Sequence, residues 1–167
     1  MKQVLSLSLI SLVALLGCSR DIPSDPMCRV NDNQTPLEPA PSACLVKLNQ
    51  KLLVLQTNQS EHFTLPLTKR QQTSAQCTAH QGVWKTTGLN VKVNQLLYVD
   101  KSNVHYFSCE ADTEFASDLT QLPVPPWANQ NIKHISLVNP FKTQQHDWHE
   151  TIDVIALRDA FTRLEAN

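Results

Sequence analysis

The chain has 167 residues, 14 Lys and Arg against 15 Asp and Glu, and a formal net charge of −1. That length suits one domain. With no basic block and no excess positive charge, the sequence lacks the electrostatic footprint of a nucleic-acid-binding protein, and it carries no internal repeat.

Met1-Lys2 is a short positive start, and Val4 to Leu16 is an apolar run. This is the pattern of a secretory signal, too short to span a membrane as a stable anchor. It ends in Leu15-Leu16-Gly17-Cys18, which resembles a bacterial lipobox. That resemblance implies cleavage before Cys18 and a lipid on its sulfur. The alternative is an ordinary signal peptide with a chance cysteine. Ser19 follows Cys18 where Asp would favour the inner membrane, so the resemblance favours the outer one. Several acyl chains are needed for stable attachment, because one chain binds only marginally at about 0.8 kcal/mol per buried CH2. Residues 1–17 are thus expected to be a lipoprotein signal peptide. Residues 18–42 are expected to be a lipid-anchored tether. Half of the chain's prolines lie there, among Asp, Asn, Ser and Thr, and such a segment buries too little apolar surface to offset its ordering entropy.

Beyond the tether, Ala43 to Leu48 and Lys51 to Gln56 are apolar, strand-like runs joined at Asn49-Gln50, a hairpin signal. His62 to Leu65 reads as a short strand stopped by Pro66. Ser74 is placed to cap a helix running to about Lys85, with Ala75, Ala79 and Val83 on one face. Gly88 can supply the left-handed residue that ends it. Val91 to Val99 and Val104 to Glu110 follow as strands, then a Pro-rich loop from Leu122 to Trp127. His134 to Val138 reads as a last strand and Thr151 to Leu164 as a closing helix, with Ile152, Ile155, Ala156 and Phe161 as core candidates.

The stretch from Phe63 to Val93 resembles the Nudix hydrolase box, G-x5-E-x7-R-E-U-x-E-E-x-G-U, where U is a bulky aliphatic residue. With the closing Gly on Gly88, the two U positions fall on Val83 and Leu89. The opening Gly falls on Leu67, the first Glu on Thr73, the Arg on Gln81, the next Glu on Gly82, and the paired Glu on Lys85 and Thr86. Scaffold positions fit and the catalytic positions depart. The order of elements resembles the same family through most of the mature chain. It implies an α/β fold over residues 43–167, a mixed sheet sandwiched by helices.

The resemblance also implies a chemistry, cleavage of a diphosphate linked to another moiety. A divalent cation held by the box carboxylates would polarise phosphoryl oxygens and activate water. Mg2+ is a hard ion that prefers carboxylate oxygen. Gln81, Gly82, Lys85 and Thr86 offer none, and Lys85 sets a positive charge where the cation should sit. Gly82 also weakens a helix by about 1 kcal/mol relative to Ala. Fallback carboxylates are Glu110, Asp112 and Glu114, with Asp118 nearby, where some members of the family recruit an extra ligand. The blander reading of that stretch is a solvated loop. His146-Asp147-Trp148-His149-Glu150 has a helix-compatible His spacing but no third ligand. The alternative is that Trp148 anchors the C-terminal region while both histidines stay outside. His80 and His105 have no Ser or Cys partner to activate. Trp84 and Trp127 read as packing residues.

Cys28, Cys44, Cys77 and Cys109 remain after Cys18, an even set suited to an oxidising compartment, with three possible pairings. No C-x2-C spacing supports a metal site instead. Placed on a Nudix-like fold, the favoured pairs are Cys77 with Cys109, between the box helix and a neighbouring strand, and Cys28 with Cys44, pinning the tether to the first strand.

Two functional readings follow. The first is a lipid-anchored periplasmic protein, catalytically silent, with no cofactor. It would bind a periplasmic protein or a small molecule, and no nucleic acid. The second is a Mg2+- or Mn2+-dependent hydrolase with a non-standard site. Its substrate would carry a diphosphate, either a nucleoside diphosphate derivative or a lipid-linked diphosphate.

Overall fold

Ser42–Leu48 (β1) is buried almost end to end, which a strand tolerates only when both of its faces are covered. The computed structural model describes residues 23–112, 115–128 and 130–164. After β1 come Lys51–Thr57 (β2), Ser60–Thr64 (β3), Leu67–Thr68 (β4), Ala75–Thr87 (α1), Val91–Val99 (β5) and His105–Ala111 (β6). Gln121–Leu122 (β7), Ile132–Val138 (β8), two short 3-10 turns and Val154–Thr162 (α2) complete the order. The sheet runs β5-β6-β1-β2-β8-β7, with β3 on β2 and β4 on β1. Only β1 and β6 pair in parallel among these ladders, so the sheet is mixed.

Alternation along β1 divides the interior. Cys44, Val46 and Leu48 face one core with Ala75, Ala79 and Val83 of α1. Ala43 and Leu45 face a second core with Leu157, Ala160 and Phe161 of α2. The architecture is therefore α/β/α, as the sequence suggested. The β1–β2 turn places Asn49 at φ 48° and Gln50 at φ 59°. Both residues left-handed is the geometry that matches strand twist in a two-residue hairpin.

α1 starts where expected, with the Ser74 hydroxyl accepting from the Cys77 N–H. It ends at Gly88, φ 72°, whose N–H donates to the Trp84 carbonyl. α2 is shorter than its sequence reading. Asp153 caps it by accepting from Ile155 and Ala156, so Thr151 and Ile152 lie outside. Its buried face is Val154, Leu157, Ala160 and Phe161. Ile155, expected in the core, is 80% exposed, because with the first turn set at Val154 it falls about 100° off that stripe.

Two expectations are corrected at the N-terminal side. The disulfides are Cys28–Cys77 and Cys44–Cys109, not Cys77 with Cys109 and Cys28 with Cys44. In the parallel β1/β6 pair, Cys44 lies opposite Phe107 and Cys109 opposite Val46, so the two sulfurs meet on one sheet face. Cys77 lies two residues, about 200°, from Ala75 on α1 and faces away from the sheet.

There it meets the second surprise. The segment expected as a free tether is docked from Asp25 onward. Arg29 and Asn31 exchange backbone hydrogen bonds with Val93 on the outer edge of β5. Gln76, 1% exposed, accepts from the Leu37 N–H and donates to the Thr35 carbonyl. Composition rightly denied this strap a core of its own. A disulfide, a strand edge and one buried amide hold it instead. The signal segment and Cys18 lie outside the described residues.

Candidate functional site

The box positions cluster where β4 crosses α1. Leu67 continues as strand, paired with Ala43, where the family pattern asks for a tightly turning glycine. Thr73 precedes the helix cap. On α1, Gln81 and Lys85 are partly exposed and Gly82 is buried. The Thr86 hydroxyl is turned back to the Gly82 carbonyl, 2.7 Å away. Gly82 has a packing reason that the sequence did not reveal. A Cβ there would sit 2.3 Å from Thr68 Oγ1 and 3.3 Å from the Pro66 carbonyl oxygen. β4 approaches so closely that any side chain at this position would require Thr68 or β4 to shift.

Lys85 is the one cation on this face of the helix. Its Nζ lies 3.5 Å from Asp25 Oδ2, so the strap's own carboxylate sits beside the position from which the family pattern would offer one. The helix end is closed by aromatic packing. Trp84 and Trp127 have ring centroids 5.8 Å apart, and Trp127 with Pro125 lies against Gly88. Both tryptophans are packing residues, as read from the sequence.

The fallback carboxylates do not assemble. Asp112 accepts from Arg29 of the strap. Glu110 lies across from Lys92 in the β5/β6 register, on the α2 side of the sheet. Asp118 is exposed, and Glu114 lies outside the described residues. Among the described residues no group of three or more His, Cys, Asp or Glu side chains is placed to hold a metal ion. The donor set at the box does not fit Mg2+ or Mn2+, since it offers an amide, a glycine, an ammonium and a hydroxyl already bonded to backbone.

The His146–Glu150 stretch follows its blander reading. Trp148 is 2% exposed, donates to Thr143 Oγ1 at 2.9 Å and meets Phe63 edge-on. His146 is exposed, and His149 bonds its neighbour Thr151. His105 packs near Phe107.

His80 is the unexpected group. It is 1% exposed. Nε2 donates to Asn90 Oδ1 at 3.0 Å, while Nδ1 is buried with no partner. Burial pushes its pKa below the ordinary histidine value and Arg29 adds to that push, against the Asn90 hydrogen bond and Asp25. The unfolded chain therefore takes up this proton first as pH falls. The stability is intact above about pH 6.5 and is lost progressively below it. The melting temperature should drop between pH 7.5 and 5.5, and His80→Gln should flatten that slope. An unchanged slope in the variant would show that other groups carry it.

Comparison with solved structures agrees with this architecture. An ADP-ribose pyrophosphatase from Streptococcus suis superposes with a TM-score of 0.56 at 14% identity, over 79% of this chain and 98% of that one. The chain has a Nudix fold. A UDP-X diphosphatase gives a TM-score of 0.56 at 14% identity, over 81% and 68% of the two chains. A Nudix hydrolase from Nitrosomonas europaea gives 0.53 at 12%, over 80% and 78%. At such identities the likeness is one of fold. No protein-family model and no curated protein matches the sequence. Two features of this Nudix-fold chain were out of reach of sequence reasoning, the strap over α1 and the close approach of β4 to Gly82. The only sequence signals were Cys28 and an unexplained Gly82.

Proposed function

We propose that this chain is a lipid-anchored binding domain of the bacterial cell envelope, outer membrane favoured, with a Nudix fold and without hydrolase chemistry. The observation that carries the reading is Gly82. A box position that the family pattern gives to a carboxylate is held by glycine, and a side chain there would have to displace Thr68 beside the Pro66 carbonyl. Its neighbours are no better suited, because Gln81 and Thr86 are uncharged and Lys85 is a cation paired with Asp25. The lipobox-like Leu15 to Cys18 supports the anchor, and two disulfides support an oxidising compartment.

Calorimetry with Mg2+ and Mn2+ should detect no site tighter than an ordinary protein surface. Dinucleoside polyphosphates, nucleotide sugars and polyprenyl diphosphates should be hydrolysed at background rates. Turnover that chelator removes and Mg2+ restores would establish the hydrolase reading instead. In cells, Cys18→Ser should abolish labelling by radioactive palmitate; equal labelling of parent and variant would remove the anchor from the proposal.

A further inference from the structure

On the α2 side of the sheet, across from the box positions, lies a groove of ≈ 270 Å3. It is smaller than drug-sized pockets of ~300–1,000 Å3 and suits a single sugar ring. Its floor is β5, β6 and β1, its far end is the C-terminal end of α2, and its outer wall is the strap.

The groups on it point to a ligand class. Lys47, Lys92 and Arg163 line it against a single carboxylate, Glu110. Lys47 is held in place, donating to the Leu164 carbonyl at 3.1 Å and lying 5.1 Å from the Phe161 ring centroid. Its ammonium keeps further donors for a ligand. Arg163 is likewise fixed by the Leu97 carbonyl and Asp159. Lys92 has no such partner among the described residues. Beside it on the floor, Ser108 is 9% exposed and its hydroxyl makes no hydrogen bond among the described residues. Ser108 lines the groove, and its hydroxyl is open to solvent there, able to donate to or accept from a ligand. The wall adds amides. Asn31 donates to Asn94 Oδ1 at 3.3 Å, which leaves the Asn94 amide N–H groups free. No aromatic side chain lines the groove, so it offers no stacking surface for a planar base.

We propose that this groove binds an acidic sugar, a hexose-sized ring carrying one carboxylate or phosphate. Lys92 meets the acid, with Lys47 and Arg163 setting the surrounding positive field. Ser108 and Asn94 meet ring hydroxyls, which donate and accept as these side chains do. The inference deepens the reading of the chain as a binding domain, and rests on it for its role. The site itself stands apart from α1, so metal-dependent turnover would remove the silent-scaffold reading and leave the groove's binding map untouched.

The test is a nitrogen-15 NMR titration of the intact, oxidised domain with glucuronate and with glucose 6-phosphate. Glucose and inorganic phosphate serve as controls. Amide shifts should concentrate at residues 31–34, 92–95 and 108–110 with at least one acidic sugar, and whichever binds names the acid. Glucose should do little at the same concentration. Lys92→Gln should weaken binding roughly tenfold, as loss of one charge-assisted hydrogen bond does. Ser108→Ala should weaken it less, with an otherwise unchanged spectrum in both variants. Absence of shifts with either acidic sugar would overturn the proposal. So would shifts as large with inorganic phosphate as with glucose 6-phosphate, or full affinity in a folded Lys92→Gln.

Discussion

Replacing Cys44 and Cys109 together by alanine is expected to destabilise the domain by about 4 kcal/mol, the loop-closure value for a bridge of this span. For a domain of this size the melting temperature should fall by roughly 10–20 °C. The bridge spans 65 residues and joins parallel neighbours β1 and β6, a pairing with no short turn to hold its register. Both cysteines are buried, at 0% and 6% exposure, so the variant also loses packed sulfur. Removing Cys28–Cys77, which spans 49 residues, should act differently in kind. Its native contacts tie the strap to α1, so hydrogen-exchange protection should be lost first at Asn31 and Val93, which pair across it. Non-reducing peptide mapping should recover Cys28 joined to Cys77 and Cys44 joined to Cys109. An alkylated free thiol at any of the four in the native protein would contradict the assignment.

Restoring the Nudix box is expected to break the domain before it restores chemistry. Leu67→Gly, Thr73→Glu, Gln81→Arg, Lys85→Glu and Thr86→Glu all change residues that are at least partly exposed. Gly82→Glu does not. Its first carbon meets Thr68 Oγ1 at 2.3 Å, and its carboxylate starts from a buried backbone. Overpacking and an unpaired buried charge together should cost more than about 3 kcal/mol. The diagnostic variant is Gly82→Ala. In an open helix it would stabilise by about 1 kcal/mol. Here overpacking of about 1–3 kcal/mol should outweigh that gain, and Thr68→Ala in the same chain should recover part of the loss. A Gly82→Ala protein more stable than the parent, measured by urea unfolding, would mean that β4 yields easily and that Gly82 reflects drift alone.

The N-terminal strap changes how any anchor would act. A tether through Ser42 would have let the domain roam. With Asp25 on Lys85 and Cys28 on Cys77, the chain leaves the domain beside the C-terminal half of α1.

The sequence by itself determined the parts of this protein that depend on neighbours along the chain. Apolar runs marked β1, β2, β5 and β6. Ser74 and Gly88 bounded α1, because caps are local chemistry. Asn49-Gln50 set the first hairpin, and the spacing of Val83, Gly88 and Leu89 carried the resemblance to a Nudix scaffold. The missing carboxylates were also legible, because an absent residue type needs no coordinates. Only the tertiary structure decided the rest. Which cysteines pair depended on the parallel neighbour of β1 and on which side of α1 Cys77 faces. Ile155 was misplaced because the stripe that packs runs through Val154, Leu157, Ala160 and Phe161, about 100° around the helix from Ile155, and only the second core decides which stripe is buried. The strap read as solvated because composition counts apolar area, whereas backbone pairing with Val93 and the two hydrogen bonds of Gln76 hold it. The groove gathers Asn31, Lys47, Lys92, Ser108 and Arg163 from five separate stretches of chain. No window of sequence holds more than a fragment of it, since contacts between distant segments exist only once the sheet has formed.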